Sequence, residues 1–271
     1  MRPLVIRPLS IIILVMSVSL TKNSQAQDAR TAVGNNFIAV GVGAAPEFIG
    51  SEDLEIVPFV AANYETQIVD FSIEGPSLRF DFLGPQTSRV FQAGPVIALR
   101  GGRDDVDDEV IDQLQDIDDA FEVGGFAGFS LKDFVTQQDE FYARIEVKGD
   151  VSDSHNGFTI TPSAGYSAPV TSRLRASFDL SLDYGSREFN ETFFNVSAVE
   201  SNVTGLDSFE ADAGFYAVTL GLGLSYAITD NWGVISRLGY TRLSGDAEDS
   251  PIVDRGSENQ FFVGAGVSYR F

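Results

Sequence analysis

The single histidine of this chain, His155, stands in the run Asp153-Ser154-His155, and a second short acidic element, Asp105-Val106-Asp107, lies upstream of it. Carboxylates beside an imidazole can activate water, and a serine beside a histidine can act as a nucleophile with its base. Neither arrangement is well supported here. Neighbouring residues on an extended chain point apart, so Ser154 and His155 do not make a base–nucleophile pair. Short acidic spacings also arise easily in a chain with 39 acids. We therefore expect no enzyme and no catalytic residue, with His155 a plain surface residue of an outward loop. The chain has no cysteine, which excludes disulfides, thiolate metal sites and cysteine nucleophiles.

Residues 104–119 hold nine acids and no base. Clustered carboxylates offer hard oxygen ligands to divalent cations. This stretch has no glycine for the turn that an ordered calcium loop uses, and its spacing does not fit that pattern. The expectation is a solvated anionic loop, with no metal site and no cofactor.

The elements that position these residues are strands. From Phe261 to Phe271 the odd positions are apolar, and the even ones are glycine, serine or arginine apart from Phe262. Such period-2 alternation gives one greasy and one wet face. It recurs in 140–148, 158–168, 171–187, 214–228 and 231–242. In 214–228 the row of Tyr216, Val218, Leu220, Leu222, Leu224, Tyr226 and Ile228 is assigned to lipid, and the row with Phe215 to the interior. Trp232 and Tyr240 are expected at the membrane interfaces.

Residues 1–26 read as a secretory signal: Arg2 and Arg7, the apolar run Leu9 to Leu20, then Ser24-Gln25-Ala26 before the cut. Arg2, Arg7 and Lys22 leave with it, so 15 basic residues face 39 acids in residues 27–271, a net of −24. That charge argues against a nucleic-acid partner. No later run is long and apolar enough for a membrane helix. A chain that spans lipid without helices must close its sheet.

The fold class is therefore all-β: a transmembrane antiparallel barrel over 27–271, in the outer membrane of a Gram-negative cell, in contact with lipid and lipopolysaccharide. Both termini of such a barrel lie in the periplasm, and the strand number is even. Loops 101–120, 150–156, 188–212 and 244–259 then face outward. Links 84–88, 133–138, 169–170 and Thr229-Asp230 face the periplasm. Dividing the first part into 36–45, 53–64, 67–74 and 76–83, with Gly75-Pro76 as a turn, gives twelve strands; without that split the number is ten. Ten basic residues then point inward: Arg79, Arg100, Lys132, Arg144, Lys148, Arg173, Arg175, Arg187, Arg237 and Arg270. Asp81, Glu122, Glu140, Glu146, Asp179 and Asp183 join them. Mixed charges in a narrow lumen are expected to pair.

Three segments carry a family likeness: Pro46 to Asp53 leading into Val57-Pro58-Phe59, Glu191-Thr192-Phe193-Phe194-Asn195-Val196-Ser197, and Gly245 to Val253 followed by Gln260 to Phe271. Their order resembles the MipA/OmpV family, from about residue 36 to 271. The resemblance implies an outer-membrane barrel without catalysis, acting as a scaffold for a lytic transglycosylase and a peptidoglycan synthase, and it supplies no catalytic residues. Two alternatives stand beside it: a surface interaction or adhesion protein using the acidic outward loops, and a narrow channel with a charged lumen.

Overall fold

The computed structural model describes residues 36–271; the expected signal segment 1–26 and residues 27–35 lie outside the described residues. Twelve antiparallel strands close into one barrel. They are β1 (Phe37–Pro46), β2 (Leu54–Tyr64), β3 (Asp70–Glu74), β4 (Ser77–Asp81), β5 (Phe91–Arg100), β6 (Ala120–Lys132), β7 (Glu140–Asp150), β8 (Phe158–Pro169), β9 (Leu174–Gly185), β10 (Gly214–Ala227), β11 (Trp232–Leu243) and β12 (Asn259–Arg270). Each strand pairs with its neighbours in sequence, and β1 closes on β12 from Phe37↔Arg270 to Ala44↔Val263. The split at Gly75 is real: Gly75 has φ +57° and joins β3 to β4.

The alternation places its apolar row outside. Val218 to Tyr226 on β10, Phe178 to Tyr184 on β9 and Phe261 to Tyr269 on β12 face away from the lumen. Aromatic pairs mark the two ends of the wall. Trp232 with Tyr269 and Tyr64 with Phe271 sit at one end, Tyr184 with Phe215 and Tyr240 with Phe261 at the other. One row departs from its expected side. The β9–β10 register shifts between Phe215 and Ala217, and this bulge turns Phe215 outward and buries Tyr216 inside. An extra residue in one strand reverses the faces beyond it, which simple alternation cannot foresee.

Closure depends on small residues at the seam. A Cβ on Gly41 would lie 2.0 Å from the Ala265 carbonyl oxygen and 2.4 Å from the Gly266 Cα, both backbone atoms of the facing strand. Gly41→Val is expected to prevent β1 from seating on β12. On refolding into detergent, the variant should lose the compact, heat-modifiable band that the parent shows in cold SDS gel electrophoresis.

Candidate functional site

The outward loops are not free arms. They fold into three short helices, α1 (Arg187–Phe194), α2 (Ala198–Thr204) and α3 (Pro251–Arg255), which sequence alternation did not reveal. Local signals start each one. The Ser186 hydroxyl caps α1, Ser197 and Glu200 form a reciprocal capping box on α2, and Ser250 precedes Pro251 at the first turn of α3. Phe189 and Phe193, one turn apart on α1, are buried with Phe194, Tyr216, Leu243 and Val253. A second cluster joins Phe48, Val106, Ile111, Leu114, Val196 and Ile252 from four different loops. Together these clusters form a cap at the loop end of the barrel.

Residues 104–119 therefore differ from the expected solvated loop. Val106, Ile111, Leu114 and Ile117, interleaved among the acids, are buried in the cap. Asp108 accepts hydrogen bonds from Val110 and Ile111 backbone N–H groups and pairs with Arg255 at 2.8 Å. Burial opposes its ionisation, but the Arg255 bond and the two N–H groups hold its carboxyl below the usual range. The Gln115 N–H donates to Glu200 on α2, and the Arg103 guanidinium donates to the Phe193 carbonyl at 3.2 Å. Burial brings the Arg103 guanidinium down to about 10, against the pull of Glu200 and Asp116. Among the described residues, no three of histidine, cysteine, aspartate and glutamate converge as metal ligands.

His155 is likewise not a surface residue; it is 1% exposed. Its Nδ1 accepts from the Gly157 N–H at 3.1 Å, so the ring proton resides on Nε2, which donates to Glu122 Oε1 at 3.2 Å. The ring meets Phe189 edge-on, 5.2 Å between centroids. Ser154 instead donates its hydroxyl to the Asp118 carbonyl at 2.5 Å. Val106 of the Asp-x-Asp element packs with Phe48, and the Asp107 N–H donates to Glu47. The residues singled out for chemistry are thus held by separate partners in the cap.

Below the cap runs a continuous chain of charges. Arg100 Nε lies 2.6 Å from Glu122, Lys148 bridges Glu122 and Glu146 at 3.5 and 3.4 Å, and Arg79 Nε reaches Glu146 at 2.6 Å. Arg79 and Arg144 then share Glu74 at 3.0 and 3.4 Å. The chain crosses the lumen from β7 to β4, and the Arg100 guanidinium lies 4.9 Å from the centre of the Phe189 ring. Cap and lumen are therefore electrostatically one unit. A second bridge, Arg237 to Asp179 at 2.6 Å, passes over Gly221, where a Cβ would collide with both side chains. Two assigned lumen residues lie elsewhere. Arg187 begins α1 and pairs with Asp212, and Arg173 is exposed in the β8–β9 turn. Helix formation and a strand that starts only at Leu174 remove them from the inward row.

At the opposite end, Asp139 organises residues 133–139. It accepts from the backbone N–H groups of Phe134, Val135 and Thr136 and from the Tyr166 hydroxyl. Burial works against its charge, yet the Tyr166 hydroxyl and these N–H groups bring it to about 2.

A closed barrel with a lipid-facing apolar belt, short turns on one side and long loops on the other defines an outer-membrane β-barrel protein. Residues 38–271 match the family model described as MltA-interacting protein MipA, and the chain belongs to that family. It is 26% identical to the MltA-interacting protein of Escherichia coli K12, over 89% of this chain and 92% of that protein. It is also 38% identical over 90 residues to the outer membrane protein OmpV of Vibrio cholerae. The chain spans about a third of the length of the Vibrio proteins it matches, 34% in each case. Among solved structures, a COG4313 outer membrane channel from Pseudomonas putida F1 aligns with TM-score 0.45 and 10% identity, over 92% of this chain and 100% of that one.

Replacing His155 by alanine removes a buried hydrogen bond to a carboxylate, worth about 2 kcal/mol. The cap should then open more often, read as faster proteolysis of the 151–157 and 186–213 loops while the barrel stays heat-modifiable. Asp139 gives a pH-dependent test. A carboxyl depressed in the folded state stabilises above its unfolded value, 3.8 here, and that contribution fades as pH falls toward about 2. Asp139→Asn should accelerate amide exchange in residues 133–138 at pH 7, and the difference from the parent should shrink as pH approaches 2.

Proposed function

We propose that this protein is a noncatalytic outer-membrane scaffold whose periplasmic rim docks peptidoglycan-remodelling enzymes, a lytic transglycosylase first and a peptidoglycan synthase with it. The observation that carries the reading is the set of apolar side chains exposed on the short turns: Ile68, Phe82, Phe134, Val135 and Val170. Exposed apolar side chains on turns are what an interface core uses, and Phe134 is further positioned by stacking on Phe141 at 5.3 Å. The 133–139 turn is also held in one shape by Asp139, so little ordering entropy is lost on docking. The similarity to a protein named for interaction with MltA agrees with this reading. The separate engagement of Ser154 and His155 supports the absence of catalysis. Single stable interfaces bury about 800 Å² per partner, so several turns contribute jointly.

A second reading has its own observation. On α2, Val199 and Val203 lie one turn apart and are exposed on the outward surface. That face suits an adhesion or surface-interaction role.

The double variant Phe134→Ser with Val135→Ser should lower capture of a purified lytic transglycosylase by the reconstituted barrel several-fold, without altering its heat-modifiability. Unchanged capture, together with loss of surface binding in Val199→Ser with Val203→Ser, would move the function to the outward face.

A further inference from the structure

Strands β3, β7 and β11 stand at every fourth place around the closed ring. Long inward side chains from these three walls therefore converge on the barrel axis instead of lying along one face. Arg144 on β7 reaches Glu74 on β3 at 3.4 Å, and Arg237 on β11 is near enough to act on the charge of Glu74 and on the Tyr142 hydroxyl. Arg79 on β4 and Asp179 on β9 complete the group, at 3.0 Å from Glu74 and 2.6 Å from Arg237. The result is an eyelet of fixed charges across the lumen.

The eyelet keeps polar groups in reserve. Both arginines of Glu74 bind its Oε2, and among the described residues its Oε1 has no partner. Arg237 grips Asp179 through Nη1 and Nη2, which leaves its Nε–H without an acceptor there. Tyr142 packs its ring against the Arg144 guanidinium at 5.1 Å, and its hydroxyl makes no hydrogen bond to another described residue. One free acceptor and free donors thus stand around the same space.

That space is wet, and it is wet from one end. Glu146 and Glu122, toward the cap, are 7% and 1% exposed at the side chain, and His155 and Phe189 of the cap are buried. Glu74 and Arg237 point inward as well, yet their side chains are 58% and 36% exposed. Toward the periplasm the inward rows carry short polar side chains, Asn63, Ser72, Ser177 and Ser225, all half-buried. The lumen is therefore a blind vestibule, closed outside by the cap, with the eyelet at its inner end.

We propose that this eyelet binds the zwitterionic head of a free amino acid that enters from the periplasm. Glu74 Oε1 accepts from the ammonium group, and the Arg237 Nε–H with the Tyr142 hydroxyl donates to the carboxylate. Charge balance selects a zwitterion over an anion or a cation. Arg79, Arg144 and Arg237 already stand against Glu74, Glu146 and Asp179, so a ligand of net charge leaves an excess inside the wall, where it is costly. An ammonium and a carboxylate on one carbon add both signs together, and fixed charges within a low-dielectric wall act on them more strongly than water does.

The test is equilibrium dialysis of radiolabelled alanine against the full chain refolded in detergent and confirmed as heat-modifiable, with heat-unfolded protein as the blank. The folded barrel should retain alanine above that blank. Unlabelled glycine should displace it, whereas N-acetylglycine, which lacks the ammonium, and glycine amide, which lacks the carboxylate, should not. No retention above the blank overturns the proposal, and so does equal displacement by all three compounds. Glu74→Gln should weaken retention by about tenfold or more, the value of a hydrogen bond to a charged group; unchanged retention in a heat-modifiable variant counts against the site. The comparison of analogues needs no variant, so it decides the question even where Glu74→Gln fails to refold.

Discussion

Lipid offers no hydrogen bonds, and that constraint governs the structure. Every backbone N–H and C=O at membrane depth must find a partner within the protein, which for strands means a cylinder with no edge. The β1–β12 seam supplies this closure, and glycine on both sides of it lets the two backbones meet. Once the wall is closed, alternation sorts the side chains: hydrocarbon outside, charge inside.

Closure creates a second problem, a lumen lined by ionisable groups away from bulk water. Leaving one such charge unpaired is far costlier than pairing it. The chain from Arg100 through Glu122, Lys148, Glu146 and Arg79 to Glu74 and Arg144 meets this by giving every member an opposite neighbour. Glu122 is its junction with the cap, because it also receives His155. The histidine is thereby a structural connector: one nitrogen orders its own turn, the other grips the lumen, and its ring packs on α1.

The two ends of the barrel are built differently for physical reasons. Periplasmic turns are short because adjacent antiparallel strands need few residues to reverse, and one carboxylate, Asp139, suffices to hold the turn at 133–139. The outward loops are long enough to bury a core of their own. Their acids remain at the surface while Val106, Ile111, Leu114 and Ile117 turn inward, so a segment of high negative charge is also an ordered one.

Fold class, compartment and strand number were legible in the sequence, since period-2 alternation over ten or more residues has one meaning in a chain that must satisfy its backbone in lipid. The inward direction of Arg79, Arg100, Glu122 and Glu146 followed from the same parity. The positions of His155, Tyr216, Arg173 and Arg187 did not. Their surroundings depend on a bulge, on where a strand begins, and on loops from distant parts of the chain packing together. Alternation reports which face a residue takes within its own strand; it carries no information about what another loop brings to that face. The strand sequence therefore determined the wall, and only tertiary packing decided the cap and the junction at Glu122.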